Sequence, residues 1–171
     1  MILSRTCQYA LQSLIYIATR PQGEIVLARS VAGHLRVPPD YLSKIMQNLG
    51  KAGLVESYRG RQGGFRLHPG AADADLMRVV ILIEGPRFIE DCVLGLKVCS
   101  NETRCPMHVK WRPIKDRIAR FLRTQTLGVL AEAVKGGKYR LADVPEALIV
   151  RPRIGSGGRQ TKLTAPSARQ P

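Results

Sequence analysis

The sequence predicts a mainly α fold with a small β-hairpin wing, the parts of a winged helix-turn-helix. Two observations carry this. PDYLSKIMQNLGKA, residues 39–52, places apolar residues on one stripe at three- and four-residue steps, and its opposite face bears no acid beyond the helix start. Just after it, two short strand-like runs flank the glycine-rich stretch RGRQGG, residues 59–64.

In chain order, Leu3, Cys7, Ala10, Leu11, Leu14, Ile15 and Ala18 share one face, which predicts an amphipathic helix over residues 4–19, ended by Pro21-Gln22-Gly23. A second short helix fits residues 27–35, with Ala28, Val31, Ala32 and Leu35 inward. The tight turn Arg36-Val37-Pro38 leads into the third helix. There Pro39 suits the first helical position and Asp40 the positive helix start, while Gly53 is placed to end it. Residues 54–58 and 65–67 read as the strands of the hairpin. Residues 76–84 form a short apolar helix closed by Gly85-Pro86. From there to about Val109 nothing periodic appears, and structureless connections beyond roughly 15 residues are uncommon in compact domains unless functional or disordered. Ile114, Ile118, Phe121 and Leu122 mark a further helix, and Leu127, Val129, Leu130 and Val134 a shorter one after Thr126. The tail RPRIGSGGRQTKLTAPSARQP has no apolar pattern and is expected to be disordered.

The 171 residues include 27 Lys and Arg against 13 Asp and Glu, a formal charge of +14. Five of the cations lie beyond Val150, so residues 1–150 hold 22 basic and 13 acidic groups, a balance of +9. Such an excess in the folded part points to a polyanion, nucleic acid before an anionic membrane surface. No apolar run reaches the roughly 18 residues of a membrane span. The N-terminus lacks the basic leader and cleavage site of a secretory signal, so the expected compartment is reducing cytoplasm. There is no P-loop, no Ser/His/Asp set and no carboxylate pair for acid–base work, which argues against an enzyme. His34 and His68 are expected at the surface.

The third helix and the hairpin carry the candidate DNA contacts. From a major groove, Ser43, Lys44, Gln47 and Asn48 can reach base edges or phosphates of double-stranded DNA. Arg59 and Arg61, with Gln62 between small glycines, suit the sugar-phosphate rim or a narrow minor groove. Tyr41 can pack beneath the turn or hydrogen-bond a phosphate. An ordinary surface helix or glycine hairpin would show either feature alone; adjacent and basic, they favour DNA binding.

DCVLGLKVCSNETRCPMH holds three of the four cysteines. Six residues separate Cys92 from Cys99 and five separate Cys99 from Cys105, with His108 after two more. A reducing compartment disfavours a disulfide. Three soft thiolates on an irregular loop can converge on one iron–sulfur cluster, [2Fe–2S] or [4Fe–4S], and Lys97, Arg104 and Lys110 nearby favour the thiolate form. Zinc is the alternative, since three cysteines and a histidine complete a tetrahedral Cys₃His site. Two of the three gaps are shorter than those of RNA-binding CCCH fingers, and the intervals lack stacking aromatics. A small iron–sulfur electron carrier would need a fourth strong cysteine ligand nearby. Cys7, on the apolar stripe of the first helix, is expected in the core.

Five stretches together, MILSRTCQYAL, VPPDYLSKIMQNLGKAGLVES, YRGRQGGFRL, IEGP and the three-cysteine loop, resemble the IscR/NsrR/RirA group of bacterial transcription regulators over residues 1–134. The resemblance implies a homodimer of winged-helix subunits, joined by a long C-terminal dimerisation helix and bound to a partly palindromic operator. It implies, as in many members, an iron–sulfur cluster that senses oxidants, nitric oxide or iron and cluster supply. The implied cluster ligands are Cys92, Cys99 and Cys105. The implied recognition helix spans residues 39–52 from Pro39, and the wing takes in Arg59, Gly60, Gly63 and Gly64. Some members add a carboxylate near position 8 from the partner subunit, where this chain has Gln8, a poor ligand. Others use a histidine three residues after the last cysteine, the place of His108. The expected organisation is a DNA-binding domain over residues 1–70, the cluster loop and dimerisation helix over residues 71–134, and a basic tail over residues 135–171.

Overall fold

The computed structural model describes residues 3–60, 63–96, 102, 105–137 and 139–141. Arg61 and Gln62 of the hairpin tip, Lys97, Cys99 and Arg104 of the cysteine stretch, and the tail from residue 142 lie outside the described residues.

Ser4 starts α1 (Arg5–Ala18), its hydroxyl accepting from the Cys7 backbone N–H at 3.2 Å. The predicted stripe is buried from Cys7 to Ile15, with Cys7, Ala10 and Leu14 wholly so, while Leu3 and Ala18 at its ends are half-buried. A two-residue strand, β1 (Val26–Leu27), precedes α2 (Ala28–Leu35); two residues are too few to show a period. Arg36, at φ 54°, is the one non-glycine residue with positive φ among the described residues. It turns the chain while Val37 N–H donates to the Ala32 carbonyl at 3.0 Å, and α3 (Pro39–Lys51) follows.

β2 (Val55–Tyr58) and β3 (Gly64–Leu67) pair antiparallel, with Glu56 opposite Arg66. β1 joins the other edge of β3, Val26 opposite Phe65, so the expected hairpin is a three-stranded sheet of order β1-β3-β2. After a 3₁₀ turn at Ala71–Asp73 comes α4 (Leu76–Glu84), capped by the Asp75 carboxylate, which accepts from Arg78 N–H at 2.8 Å. A second 3₁₀ turn, Pro86–Ile89, interrupts the connection that sequence periodicity leaves blank.

The next helix, α5 (His108–Thr124), begins six residues before Ile114 and contains Pro113. A proline reads as a breaker in sequence. Here it deprives only the Val109 carbonyl of its helical donor, on a solvent-facing turn, while His108 and Trp111 hold the added turns inward. Thr126 caps α6 (Leu127–Lys135) through the Val129 N–H at 3.3 Å.

One apolar cluster runs from Cys7 to Ala131. Leu14, Leu42, Met46, Leu49, Leu54 and Leu127 are wholly buried, each contributing about 2 kcal/mol of transfer free energy. His34 corrects an expectation. It is not at the surface but buried, its ring stacked on Tyr16 with centroids 4.3 Å apart. Three residues after Val31, it falls on the inner face of α2, and its flat ring fits against the tyrosine. His68 is exposed, as expected. No described helix is long and apolar enough to cross a membrane.

A Cβ at Gly64 would lie 2.1 Å from the Val26 carbonyl oxygen, backbone that cannot give way without parting β1 from β3. Gly64→Ala is therefore expected to lower the unfolding free energy by about 2 kcal/mol or more in urea titrations. Gly33→Ala, in α2 with open space around it, is the control and should be neutral or stabilise by roughly 0.5–1 kcal/mol. Equal midpoints for the two variants would show that β1 is not seated on Gly64.

Candidate nucleic-acid interface and cysteine segment

α3 buries Leu42, Ile45, Met46 and Leu49 and exposes Asp40, Tyr41, Lys44, Gln47, Asn48 and Lys51. Steps of three and four put the exposed set on one face. Of the six residues expected to read DNA from this helix, Lys44, Gln47 and Asn48 stand fully outward, and Pro39 is exposed at the helix start. Ser43 is half-buried and its hydroxyl donates to the Pro39 carbonyl at 2.8 Å, which leaves its oxygen as an acceptor. Tyr41 packs and hydrogen-bonds within the fold. Its ring meets Tyr9 edge-on at 6.2 Å and its hydroxyl bonds Thr6 Oγ1 at 2.7 Å, yet it remains 37% exposed. Thr6 thus tethers the reading face to α1, a pairing across 35 residues that no local pattern reveals. Arg36 is a further cation that sequence reading missed, exposed on the turn just before α3.

At the wing, Arg59 and Gly60 are exposed, and the Gly63 N–H closes the tip onto the Gly60 carbonyl at 2.8 Å. Gly60 has φ +105°, and a Cβ at Gly63 would sit 2.5 Å from the Tyr58 carbonyl. Gly60, Gly63 and Gly64 thus have steric reasons inside the fold, besides any close approach to DNA. The outer face of the wing is braced by Glu56, which accepts from the Tyr58 hydroxyl at 2.8 Å and pairs with Arg66 across the strands. The tyrosine hydroxyl and then the guanidinium hold the Glu56 carboxyl below its usual range.

The cysteine segment leaves α4 through Gly85 and is clamped by α5. Trp111 Nε1 donates to the Asp91 carbonyl at 3.4 Å and Lys115 Nζ to the Glu90 carbonyl at 3.2 Å, immediately ahead of Cys92. Cys92 is buried, on the wall of a cavity of about 430 Å³ that Phe88, Trp111 and Ile118 also line. Cys105 is half-buried, and its carbonyl accepts from the His108 N–H at 3.0 Å. His108 opens α5 and is buried, so it is no solvated loop residue. Cys92 and Cys105 are reduced thiols at the two ends of the segment. Cys99 lies outside the described residues, and among those described no three His, Cys, Asp or Glu side chains gather as a metal site. The donors fit a thiophilic metal in type, while Val93, Leu94 and Leu96 between them and Ile114 and Phe121 on α5 stand exposed.

Cys7 is reduced as well, but it is part of the core. Burial, and then Glu84 beside it, push its thiol from 9.0 up to about 12.

Residues 3–133 match the Rrf2 family model, described as iron-dependent transcriptional regulators. Over 130 residues the chain is 32% identical to the HTH-type transcriptional regulator IscR of Vibrio atlanticus, covering 76% of this chain and 75% of that protein. Its fold is similar to CymR, the global cysteine regulator of B. subtilis, with a TM-score of 0.64 and 26% identity over 77% of this chain and 96% of that one. It is also similar in fold to IscR of T. potens, with a TM-score of 0.63 and 24% identity over 81% and 91% of the two chains.

Two measurements probe these sites. Arg59→Ala is expected to weaken binding to duplex DNA and to reduce the slope of log affinity against log salt by roughly 0.9, the loss of one phosphate contact; an unaltered slope would remove Arg59 from the interface. For Cys7, the raised folded value means that the unfolded chain releases the thiol proton first. Its contribution to stability is complete below pH 9.0 and is lost as pH rises toward about 12. Cys7→Ala should therefore flatten the alkaline limb of the stability profile, and superimposable limbs would contradict the assignment.

Proposed function

The chain belongs to the Rrf2 family of transcriptional regulators, and from that premise we propose that this DNA-binding regulator is a homodimer whose operator affinity is set by an iron–sulfur cluster on Cys92, Cys99 and Cys105, with His108 as fourth ligand. The observation that carries the reading is the course of the cysteine segment. It starts where α4 ends, and α5 clamps it beside Cys92 and receives it again at His108. α4 packs on α1, which also supports α3, so the segment lies mechanically between the reading helix and α5.

When bound, the cluster supplies an iron–thiolate link that oxidants or nitric oxide can break. The chain's own residues do the rest. Trp111 and Lys115 hold the backbone before Cys92, and the cavity beside that thiol gives a small reagent room to approach. Ile114 and Phe121, exposed one helical heptad apart on α5, supply an apolar stripe for a second α5. Two subunits joined there would present two α3 helices, and successive half-sites require a separation of roughly 34–36 Å. Loosening of the segment between α4 and α5 changes that separation. In this reading residues 1–70 contact DNA, residues 71–134 sense and pair, and the protein works in a reducing cytoplasm.

The deciding experiment is purification without oxygen, with a visible spectrum, iron, sulfide and zinc counts, and operator affinity before and after air. A brown protein whose affinity changes when the colour is lost supports the proposal. A colourless protein with stoichiometric zinc converts it to the Cys₃His reading, and a metal-free protein fully competent on DNA defeats both. Single replacement of Cys92, Cys99 or Cys105 by Ser is expected to abolish the chromophore while the dimer stays folded by light scattering and circular dichroism. Survival of the colour in all three variants would move the cluster elsewhere.

A further inference from the structure

We infer that Arg78 is a positioning residue that fixes the angle of α3 against the corner between α5 and α6. The inference rests on α3 being the helix that reads DNA, not on any metal. Arg78 Nη2 donates to the Ala52 carbonyl at 3.0 Å, across 26 residues of sequence. Ala52 is the C-cap of α3, and the last carbonyls of a helix have no donor in their own ladder. Three of the carbonyls before it are taken locally: Asn48 by Ala52 N–H at 3.2 Å, Leu49 by Leu54 N–H at 3.0 Å and Gly50 by Gly53 N–H at 3.0 Å. The guanidinium supplies the Ala52 carbonyl with a donor, and its charge opposes the negative pole of the helix dipole.

The other end of the strut is equally fixed. Arg78 is the third residue of α4, and its own N–H is held by Asp75 Oδ1 at 2.8 Å. Just ahead, Leu76 N–H donates to the Gln125 carbonyl at 2.9 Å and Leu127 N–H to the Ala74 carbonyl at 3.1 Å, an antiparallel bridge to the link between α5 and α6. From the end of α5 to the end of α3, the path is two backbone hydrogen bonds, one helical turn and one guanidinium. Gln47, Asn48 and Lys51, the exposed residues of the last turns of α3, lie directly before the carbonyl that Arg78 grips. A tilt at Ala52 therefore displaces them together.

Arg78 is exposed and cationic, so direct contact with a phosphate is the competing explanation, and the test separates the two. The full chain and its Arg78→Ala variant are titrated with the duplex that the wild type selects from a randomised pool, and with poly(dI-dC) as the non-specific probe. Specific affinity is expected to fall about tenfold, the loss of one charged hydrogen bond to the carbonyl. Affinity for poly(dI-dC) and the salt slope stay at wild-type values, and the penalty for one extra base pair between half-sites shrinks. Arg78→Lys recovers part of the loss. Arg78→Gln keeps the stem and the helix propensity, and carries the same test if the alanine chain fails to fold. Undiminished specific affinity overturns the inference. So does a parallel fall on both probes with a salt slope smaller by about 0.9, which marks a phosphate contact. A wild-type chain that selects no sequence removes the premise about α3 itself, a failure distinct from that of Arg78.

Discussion

Burial of the inner face of α1 is the constraint on which the other elements depend. Cys7, Ala10, Ser13 and Leu14 have no exposed surface, because α2, α3, α4 and α6 all pack on this one helix. Ser13 is polar in that setting, and its hydroxyl is satisfied within the helix by donating to the Tyr9 carbonyl at 2.6 Å. The covering helices share a common support, so none can shift far without uncovering apolar surface that another also covers. Position is transmitted by packing. The N-terminus of α1 is also pinned to the end of α4, where Glu84 Oε1 accepts from the Ser4 N–H at 2.8 Å. The first residues of the chain and the start of the cysteine segment are thereby held together across 80 residues of sequence.

Charge is distributed to match. A formal charge of +14 means that basic groups outnumber acidic ones by 27 to 13, and the ion pairs described stay within one helix, one turn or one hairpin. Arg66 is matched to Glu56 on the wing, Lys135 to Glu132 on α6, and Arg87 lies 3.8 Å from Asp91. Solvent-screened pairs of this kind add little to stability and give no reason for so basic a composition. Lys44, Lys51, Arg36 and Arg59 are exposed on α3 and around it, where Asp40 is the one carboxylate of the helix. Cations gathered near a helix that also presents Gln47 and Asn48 suit a phosphate backbone flanking readable base edges. The hydrogen bond of Tyr41 to Thr6 braces this surface rather than occupying it.

What the sequence makes legible follows from the range of each interaction. The stripes of α1 and α3 are local and periodic and are buried except at their ends, where Leu3, Ala18 and Ala52 are half-buried, and Gly85 ends the short apolar α4 as its placement predicts. β1 escapes notice because its identity comes from pairing with Phe65, some forty residues away, and two residues carry no period of their own. The early start of α5 is hidden by Pro113, whose cost is local while its compensation, the burial of His108 and the seating of Trp111, is tertiary. His34 misleads for the same reason: imidazole is polar by type, but the flat ring of Tyr16 makes an inner position tolerable. At the candidate site the outward residues Lys44, Gln47, Asn48 and Arg59 are legible from the helix period and the hairpin. The supports, Thr6 under Tyr41 and Glu56 behind the wing, are not.

The three described cysteines show how environment divides one chemistry into two. Cys7 sits in the core with its proton held up to about 12, so at ordinary pH it is neither a nucleophile nor a ligand of any strength. Bringing it to a metal would require opening α1. Cys92 and Cys105 occupy a segment with only one short 3₁₀ turn among its described residues between α4 and α5, where a change of backbone course uncovers little core. Cys105 is partly open to solvent, and Cys92 faces a cavity. If thiolates of this chain hold a metal, the ones on the segment can do so without opening α1, and the strain of losing it falls on α4 and α5, which are bridged to one another at residues 74–76 and 125–127, while Arg78 of α4 bonds the C-cap of α3.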